Sequence, residues 1–176
     1  MTTIVAIQKD DGVYFGADSL VTATRKYSHP RMTKITRRGA FIIAGSGESA
    51  ACDIAQHIWT PPNPMAADKK DIYHFIIAKV VPSLKNSFKD QEYKWQETDE
   101  ETKFAFLIAV AGEVFDIADD FAVSMSSTGF YAVGSGSSLA IGALEAGASI
   151  SKALEIASIH DPYTAAPFYF MEQAKP

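Results

Sequence analysis

The sequence predicts an α+β fold in which two antiparallel sheets are flanked by helices. Patterns typical of strands and of helices come in separate blocks along the chain, and blocks of this kind favour antiparallel sheets over alternating parallel units. Apolar residues make up 47% of the 176 residues, so the chain can bury a sizeable core without disulfides or metals. We therefore expect one domain that spans residues 1–176.

The first block of strands begins almost at the amino terminus. Thr3 to Ile7 is β-branched and apolar, and Asp10-Asp11-Gly12 is a tight-turn sequence that leads into Val13 to Ala17. Lys34-Ile35 and Ala40 to Ala44 follow as the next predicted strand pair. The block therefore predicts two strand pairs, the first of which is a hairpin.

Two helical patterns make up the second block. Residues 45–49 form a turn that leads into a helix with an apolar face, and a group of prolines ends that helix. Residues 69–89 predict a second helix, in which Pro82 is expected to introduce a kink or an interruption. Residues 90–102 are strongly polar and are expected to form a solvated loop.

The last two blocks repeat this order. The predicted strands of the third block are Phe104 to Val110, Val114 to Ile117 and shorter segments near residues 121–125 and 130–133. The fourth block contains the predicted helices Ser138 to Glu145 and Ser149 to Ile159, followed by a closing strand, Phe168 to Met171.

Composition disfavours several classes of function. The net charge is −5 with acids and bases scattered along the chain, so there is no basic surface of the kind that binds nucleic acid. No apolar run is long enough to span a bilayer, and the first residues do not resemble a secretory signal. Cys52 is the only cysteine, and the four histidines lack metal-ligand spacing. We therefore expect a cytoplasmic protein with no cofactor, no metal, no nucleic-acid partner and no membrane partner.

Thr2 is the first candidate for chemistry. A threonine hydroxyl is a weak nucleophile until a base takes its proton, and a threonine at the amino terminus carries its own base. The free α-amino group has an ordinary pKa of about 7.7–8.0, so much of it can be neutral at working pH. Met1 is the only residue ahead of Thr2, and a small following residue favours its removal. Many chains begin with Met-Thr without any such role, so this feature alone does not establish a nucleophile.

Three further features are ambiguous when each is taken alone. Asp18, at the end of the second strand, is either a functional carboxylate or a satisfied turn residue. Lys34, just before an apolar strand, is either part of a site or simply solvated. The Ala44-Gly45-Ser46-Gly47 turn has backbone N–H groups that can hold an oxyanion, or glycines that only satisfy turn geometry.

Together these features resemble the proteasome β-subunit family, including the bacterial HslV type that works with an unfoldase ATPase. Mature chains of that family begin with Thr-Thr-Ile-Val or a similar sequence, as Thr2-Thr3-Ile4-Val5 does here. Asp18-Ser19 and Lys34-Ile35 match the aspartate and lysine elements of the family at the same spacing from the first threonine. Ala44-Gly45 matches the element that opens the first helix, after a slightly shortened turn.

The second half of the chain adds two matches and one departure. Gly134-Ser135-Gly136 matches a Gly-Ser-Gly element that precedes the third helix of the family. Asp161-Pro162-Tyr163-Thr164 resembles an Asp-Ala-Tyr-Ser element, with threonine in place of serine. The aspartate that usually follows the Ala-Gly element is displaced or absent, and we assign no role to Asp53.

The resemblance implies a four-layer αββα sandwich, the N-terminal-nucleophile hydrolase fold, assembled into homo-oligomeric rings. It also implies hydrolysis of peptide bonds in unfolded polypeptides or peptides, with an AAA+ unfoldase ATPase as a candidate partner. The alternative is a catalytically silent subunit with a structural or assembly role, because a retained Met1 would lock the amine in a peptide bond. A non-catalytic alpha-type subunit is disfavoured, since such subunits carry a helix before the first strand.

The catalytic residues implied by the resemblance are Thr2, Asp18, Lys34, Gly45, Ser135, Asp161 and Thr164. Thr2 would be the nucleophile, Lys34 the cation that favours its alkoxide, and Asp18 the partner of that cation. The N–H of Gly45 would stabilise the oxyanion. The remaining three residues would form a polar shell around the terminal amine.

Uncharged residues are expected to form the substrate-binding pocket: Val21, Thr22, Met32, Thr36, Ile43 and Gly47. Such a pocket gains affinity by burying apolar surface, at about 25 cal/mol per Å². A charged side chain would lose its hydration there without gaining a partner. We therefore predict cleavage after residues such as leucine or tyrosine, and poor cleavage after glutamate or arginine.

Overall fold

The computed structural model describes residues 2–22, 26–27, 33–95 and 104–176, and it contains two antiparallel sheets between two layers of helices. Three apolar clusters fill the spaces between successive layers. The predicted α+β class and the four-layer αββα arrangement are therefore confirmed. No helix within these described ranges is long and apolar enough to cross a membrane.

Four strands form the first sheet: β1 (Thr3–Lys9), β2 (Gly12–Asp18), β10 (Phe130–Gly134) and β11 (Phe168–Ala174). They lie in the order β10-β1-β2-β11, and every neighbouring pair is antiparallel. In this register Thr3 lies opposite Gly134, and Ile4 lies opposite Ala17. The start of β1 is therefore placed beside the ends of β2 and β10.

Five strands form the second sheet, in sequence order: β5 (Ile35–Arg38), β6 (Phe41–Gly47), β7 (Phe104–Val110), β8 (Glu113–Ile117) and β9 (Val123–Ser124). A separate two-stranded ribbon pairs β3 (Val21–Thr22) with β4 (Lys26–Tyr27). The strands predicted for the first and third blocks are thus all present, with ends that differ by a few residues.

One helical layer covers the second sheet and contains two π-helical turns. Helix α1 (Ser49–Asp53) continues into the π-helical turn Ile54–Ile58. After a 3-10 turn (Asp68–Lys70), helix α2 (Ile72–Phe75) continues through the π-helical turn Ile76–Val80 into α3 (Val81–Asp90). The other layer contains α4 (Ser137–Glu145) and α5 (Ile150–His160), which pack on the first sheet.

Pro82 lies where the α-helical bonding of its helix is interrupted, as the sequence predicted, but the helix does not end there. The proline lies in the first turn of α3, directly after the π-helical turn. Proline lacks the N–H that would bond to a carbonyl of the preceding turn, and its ring crowds that turn. The change from π-helical to α-helical bonding therefore absorbs the proline without ending the helix.

Alternation along the strands assigns each side chain to a layer. In β1, Ile4 and Ala6 face the second sheet, whereas Val5 and Ile7 pack against α4 and α5. Both faces of this strand are buried, and for that reason its sequence is a continuous apolar run instead of an alternating one.

Candidate active site

Thr2 lies at the start of β1, where several polar elements meet. The residue is buried, with 3% of its surface exposed. Its carbonyl oxygen lies 3.3 Å from the Ser135 hydroxyl, which precedes α4. The register of the first sheet places the neighbouring Thr3 opposite Gly134 and next to the end of β2. The amino-terminal end of β1 is therefore enclosed by groups that can hydrogen bond to it.

Asp18 collects the polar contacts on the β2 side of this region. Its Oδ1 accepts the Thr3 N–H at 2.9 Å and the Lys34 ammonium at 2.7 Å. Its Oδ2 accepts the N–H groups of Leu20 and Ala165 at 3.0 and 3.3 Å. The carboxylate is completely buried, and a buried charge is tolerated when it is both paired and hydrogen bonded. Because Oδ1 is shared, the ammonium is held close to the start of β1.

Lys34 directs its side chain toward Asp18 from the start of β5. The ammonium donates to Asp18 Oδ1 and to the Leu20 carbonyl, each at 2.7 Å, and 13% of the side chain is exposed. Burial lowers the pKa of Lys34, and the charge and hydrogen bond of Asp18 only partly oppose this effect. The sequence-predicted pair of Asp18 and Lys34 is therefore brought into direct contact, and Asp18 also binds the N–H of Thr3, the residue after Thr2.

Asp161, at the end of α5, is the centre of a second polar network. Its Oδ2 accepts the hydroxyls of Ser135 at 2.7 Å and Thr164 at 2.6 Å, and its Oδ1 accepts the Tyr163 N–H at 3.3 Å. The hydroxyl oxygens of Thr3 and Thr164 lie 2.5 Å apart. Thr164 has only one hydroxyl proton and gives it to the carboxylate, so the Thr3 hydroxyl must be the donor to Thr164.

The hydrogen bonds of Asp161 outweigh the effect of its burial. Burial alone would raise the pKa of Asp161, but the bonds from Thr164, Ser135 and the Tyr163 N–H, together with the charge of the amino-terminal group, bring it below the ordinary value. Ser135 also has a single proton, and its 2.7 Å bond to the carboxylate is shorter than its 3.3 Å contact with the Thr2 carbonyl. The charged acceptor therefore takes that proton.

The glycines of the Gly-Ser-Gly element make room for the amino terminus. A Cβ on Gly134 would lie 2.0 Å from the Thr2 carbonyl oxygen, and Gly134 has a φ of +99°. A Cβ on Gly136 would lie 2.1 Å from the Thr3 hydroxyl oxygen. Any larger residue at either position would push against the residues at the start of β1.

Gly45, the predicted oxyanion donor, is engaged elsewhere. Its N–H donates to the Lys34 carbonyl at 3.3 Å, as part of the contact between β5 and β6. That N–H therefore does not point at Thr2, and the assignment of the oxyanion to Gly45 is wrong. Successive residues of a strand direct their N–H groups to opposite edges. The N–H of Gly47, at the exposed end of β6, therefore points to the same edge of the strand as the N–H of Gly45. It lies two residues further along the strand, past the position of Lys34.

The predicted pocket residues lie in different parts of the structure. Ile43 is completely buried in the cluster between the second sheet and α1–α3, so its assignment to a substrate pocket is wrong. The Thr36 hydroxyl lies 3.5 Å from the Ile43 carbonyl, on the helix-facing side of β5. Val21 and Thr22 form β3, directly after Leu20, and both are half-buried. Met32 lies outside the described residues.

Sequence reasoning missed two polar groups of this region. The Thr3 hydroxyl joins the Asp161 network through Thr164, and it could have been suspected from its position next to Thr2. The side-chain amide of Gln56 donates to the Lys34 carbonyl at 2.8 Å. Gln56 follows two apolar residues in a helical pattern, and no sequence signal points to this contact.

Cys52 also lies near Lys34 but is not prepared for nucleophilic chemistry. Burial raises the pKa of its thiol to about 12, and the nearby charge of Asp53 acts in the same direction. The thiol is therefore neutral at physiological pH, and the thiolate is the reactive form. Among the described residues, no group of three or more His, Cys, Asp and Glu side chains is arranged to hold a metal ion.

No protein-family model matches the sequence, and no curated protein matches it. Several solved structures do match this chain. Thiobacillus denitrificans BPH in complex with epoxomicin aligns over 99% of both chains with a TM-score of 0.76 at 23% identity. The chain has the proteasome β-subunit fold.

Two further solved structures agree with the proteasome-like fold. Eukaryotic HslV from Trypanosoma brucei covers 97% of this chain and 98% of its own, with a TM-score of 0.63 at 19% identity. Anbu, an ancestral β-subunit from Yersinia bercovieri, covers 97% of this chain and 80% of its own, with a TM-score of 0.68 at 12% identity. The resemblance inferred from the sequence is therefore confirmed at the level of the fold.

Proposed function

We propose that this chain is an N-terminal threonine endopeptidase that works inside a ring of its own copies, with Thr2 as nucleophile once Met1 is removed. The observation that carries the proposal is the shared oxygen of Asp18, which accepts the Thr3 N–H at 2.9 Å and the Lys34 ammonium at 2.7 Å. A cation is thereby held beside the residue that would carry both a hydroxyl and a free amine. The similarity to a BPH that binds epoxomicin supports the same reading.

The proposed reaction begins when Thr2 Oγ attacks the carbonyl carbon of a peptide bond. The α-amine, directly or through a water, takes the hydroxyl proton and returns it to the departing amine. The Lys34 charge stabilises the alkoxide form of the nucleophile, and Asp18 holds that charge in place. Cleavage of the C–N bond leaves an ester on Thr2, which water hydrolyses to regenerate the free hydroxyl.

We assign the oxyanion to the N–H of Gly47 in place of Gly45. The tetrahedral intermediate requires a donor that is fixed before the reaction and is not bonded elsewhere in the chain. The Gly45 N–H fails this requirement because it is bonded to the Lys34 carbonyl. The Gly47 N–H points outward from the same edge of β6, two residues after Gly45, at the exposed end of the strand.

The Asp161 network is proposed to support the amine. Once the amine takes the proton it becomes a cation, and a nearby carboxylate lowers the free energy of that state. The hydrogen bonds from Thr164 and Ser135 help to keep Asp161 ionised for this task. The threonine at position 164, where the family has serine, supplies the same hydroxyl donor.

Two variants of the nucleophile test the proposal. Thr2→Ala should abolish hydrolysis of a fluorogenic peptide, whereas Thr2→Ser keeps the hydroxyl and the amine and should retain measurable turnover. Epoxomicin should suppress the activity of the unaltered chain. Full turnover by Thr2→Ala would exclude Thr2 as the nucleophile.

Intact mass and sedimentation of the same samples complete this test. The active chain should lack the mass of Met1 and should sediment as a ring. The proposed substrates are unfolded polypeptides or peptides, delivered by an AAA+ unfoldase ATPase. A ring that retains Met1 and hydrolyses no peptide would instead support the silent structural subunit.

A further inference from the structure

The π-helical turn after α1 contacts β5 along one face of the strand. Thr36 and Arg38 are alternate residues of β5 and therefore share that face, and Lys34 directly precedes the strand. The Gln56 amide donates to the Lys34 carbonyl at 2.8 Å, and the Thr36 hydroxyl lies 3.5 Å from the Gln56 carbonyl. The Arg38 guanidinium donates to the Trp59 carbonyl at 2.8 Å. The strand that carries Lys34 is thus attached to the π-helical turn over its whole length.

Gln56 is the residue of this contact that reaches the backbone of Lys34. Only 4% of its surface is exposed, and its Nε2 donates to the carbonyls of Lys34 at 2.8 Å and Ile43 at 3.2 Å. A primary amide has two N–H donors, so both are used. Regular pairing of β5 with β6 begins one residue later, where Ile35 lies opposite Ala44. The Lys34 carbonyl is accordingly held by the Gln56 side chain together with the Gly45 N–H.

The π-helical geometry is what turns Gln56 inward. Ile54, Ala55 and Gln56 are consecutive, and all three are buried. An α-helix advances about 100° per residue, which would spread three consecutive side chains over more than half of the helix circumference. The wider turn, closed by the Trp59 N–H to Ile54 carbonyl bond at 2.7 Å, advances by less per residue. The third residue therefore stays on the face that contacts β5.

We propose that Gln56 is a positioning residue for Lys34: its amide fixes the Lys34 carbonyl and thereby sets where the ammonium lies between Asp18 and the Leu20 carbonyl. The Lys34 side chain has to reach from this backbone to Asp18 and the Leu20 carbonyl, so a shift of the backbone changes how the ammonium meets these two acceptors. The effect on catalysis rests on the function proposed above. The effect on the Lys34 charge does not.

Gln56→Met and Arg38→Met form a matched pair of variants. Methionine at 56 keeps the length of the side chain but has no N–H donor. Methionine at 38 removes bonds between the same strand and the same turn without touching Lys34. In peptide hydrolysis, Gln56→Met should lower kcat about 10- to 100-fold with little change in KM, as expected for a small displacement of a catalytic group. Arg38→Met should reduce thermal stability but keep kcat near that of the unaltered chain.

The titration of Lys34 gives a readout that needs no activity. In the full chain labelled with ¹³C at lysine Cε, the Lys34 signal is identified by its loss in Lys34→Met. Its apparent pKa should change in Gln56→Met and stay unchanged in Arg38→Met. If Gln56→Met does not fold, Gln56→Asn replaces it, since its amide is one methylene too short to keep both bonds and should shift the titration in the same way.

The outcomes separate this inference from the proposed function. A changed Lys34 titration in a chain that hydrolyses no peptide would support the role of Gln56 and reject the peptidase. An unchanged titration in the folded Gln56 variant would overturn the role of Gln56, whatever its activity. An equal change of the Lys34 titration in Arg38→Met would also overturn the role of Gln56. The change would then arise from any loosening of the contact between β5 and the π-helical turn.

Discussion

Two carboxylates flank the start of β1, and they are held in opposite ways. Asp18 is paired with a cation, the Lys34 ammonium, and accepts three backbone N–H groups in addition. Asp161 accepts two side-chain hydroxyls and one backbone N–H among the residues that the structure describes. Thr3 joins the two networks, because its N–H donates to Asp18 and its hydroxyl contacts Thr164.

The two kinds of hydrogen-bond partner suit the two carboxylates to different tasks. A carboxylate paired with a cation at 2.7 Å fixes the location of a charge, and removal of one partner leaves the other charge buried. A carboxylate held by hydroxyls is stabilised by donors that can rotate and exchange protons. We therefore expect the Asp18 side to dominate stability and the Asp161 side to dominate the response to acid.

The largest effect is expected from Asp18→Asn. This change leaves the Lys34 ammonium without its charge partner in a mostly buried place, which should cost about 3–5 kcal/mol of unfolding free energy. Lys34→Met should cost less, because Asp18 keeps the three backbone N–H donors. Urea unfolding of both variants, followed by circular dichroism, measures the difference. Equal losses in the two variants would contradict the idea that the cation depends on Asp18 more than Asp18 depends on the cation.

A smaller effect is expected from Gly136→Ala, which crowds the Thr3 and Thr164 hydroxyls on the Asp161 side. The new Cβ would lie 2.1 Å from the Thr3 hydroxyl oxygen, and overpacking of this kind costs about 1–3 kcal/mol. Thr3→Ala removes that oxygen, so the double variant should be less destabilised than the sum of the single changes. Urea unfolding of the four chains gives the coupling free energy.

Gly142→Ala is the control for this measurement. Gly142 lies inside α4, and no heavy atom lies within 4 Å of an added Cβ. Alanine should therefore stabilise the helix there by about 0.5–1 kcal/mol. Strict additivity of Gly136→Ala and Thr3→Ala would show that crowding of the Thr3 hydroxyl does not cause the loss of stability in Gly136→Ala.

The block order of the elements and the residues Asp18, Lys34, Ser135, Asp161 and Thr164 of the two networks could be predicted from the sequence. The part played by Thr3 and the direction of backbone groups could not. Ile43 and Gly45 were both assigned to the site, yet Ile43 packs toward the helices and the Gly45 N–H points at Lys34. A shift of one residue in register moves every side chain of a strand to the other face. The pairing of β5 with β6 fixes that register, and it is not visible in the sequence.

The geometry of the helical segments also could not be predicted from the sequence. The apolar pattern predicted a helix over the residues that form α1 and its π-helical turn, and that element is present. It did not predict that Gln56 would be buried, because the expected period is that of an α-helix. The contact with Lys34 depends on the wider turn, which has no recognised sequence pattern. For the same reason the sequence predicted an interruption at Pro82, but not that it would take the form of a π-helical turn directly before the proline.

The smallest expected effect concerns the response of Asp161 to pH. The folded protein lowers the pKa of this carboxyl, so Asp161 contributes stability above the unfolded value of about 3.9, and that contribution is lost as pH falls through the folded value. Asp161→Asn removes the charge and should cost about 1.5 kcal/mol at neutral pH. Because the contribution of the native carboxylate disappears in acid, the unfolding free energies of the two chains should converge as the pH falls below about 4.

Asp116→Asn gives a control of opposite sign for this last prediction. Burial raises the pKa of Asp116, so its ionised form is disfavoured in the folded chain and the protein is stabilised as pH falls through the raised value. Asparagine removes that penalty, and Asp116→Asn should therefore be neutral or stabilising at pH 7, with a difference that also shrinks in acid. Chemical unfolding between neutral pH and the onset of acid denaturation measures both pairs. If Asp161→Asn followed the pH dependence of Asp116→Asn, burial and not hydroxyl bonding would control Asp161, and the contrast between the two carboxylates beside Thr2 would have to be abandoned.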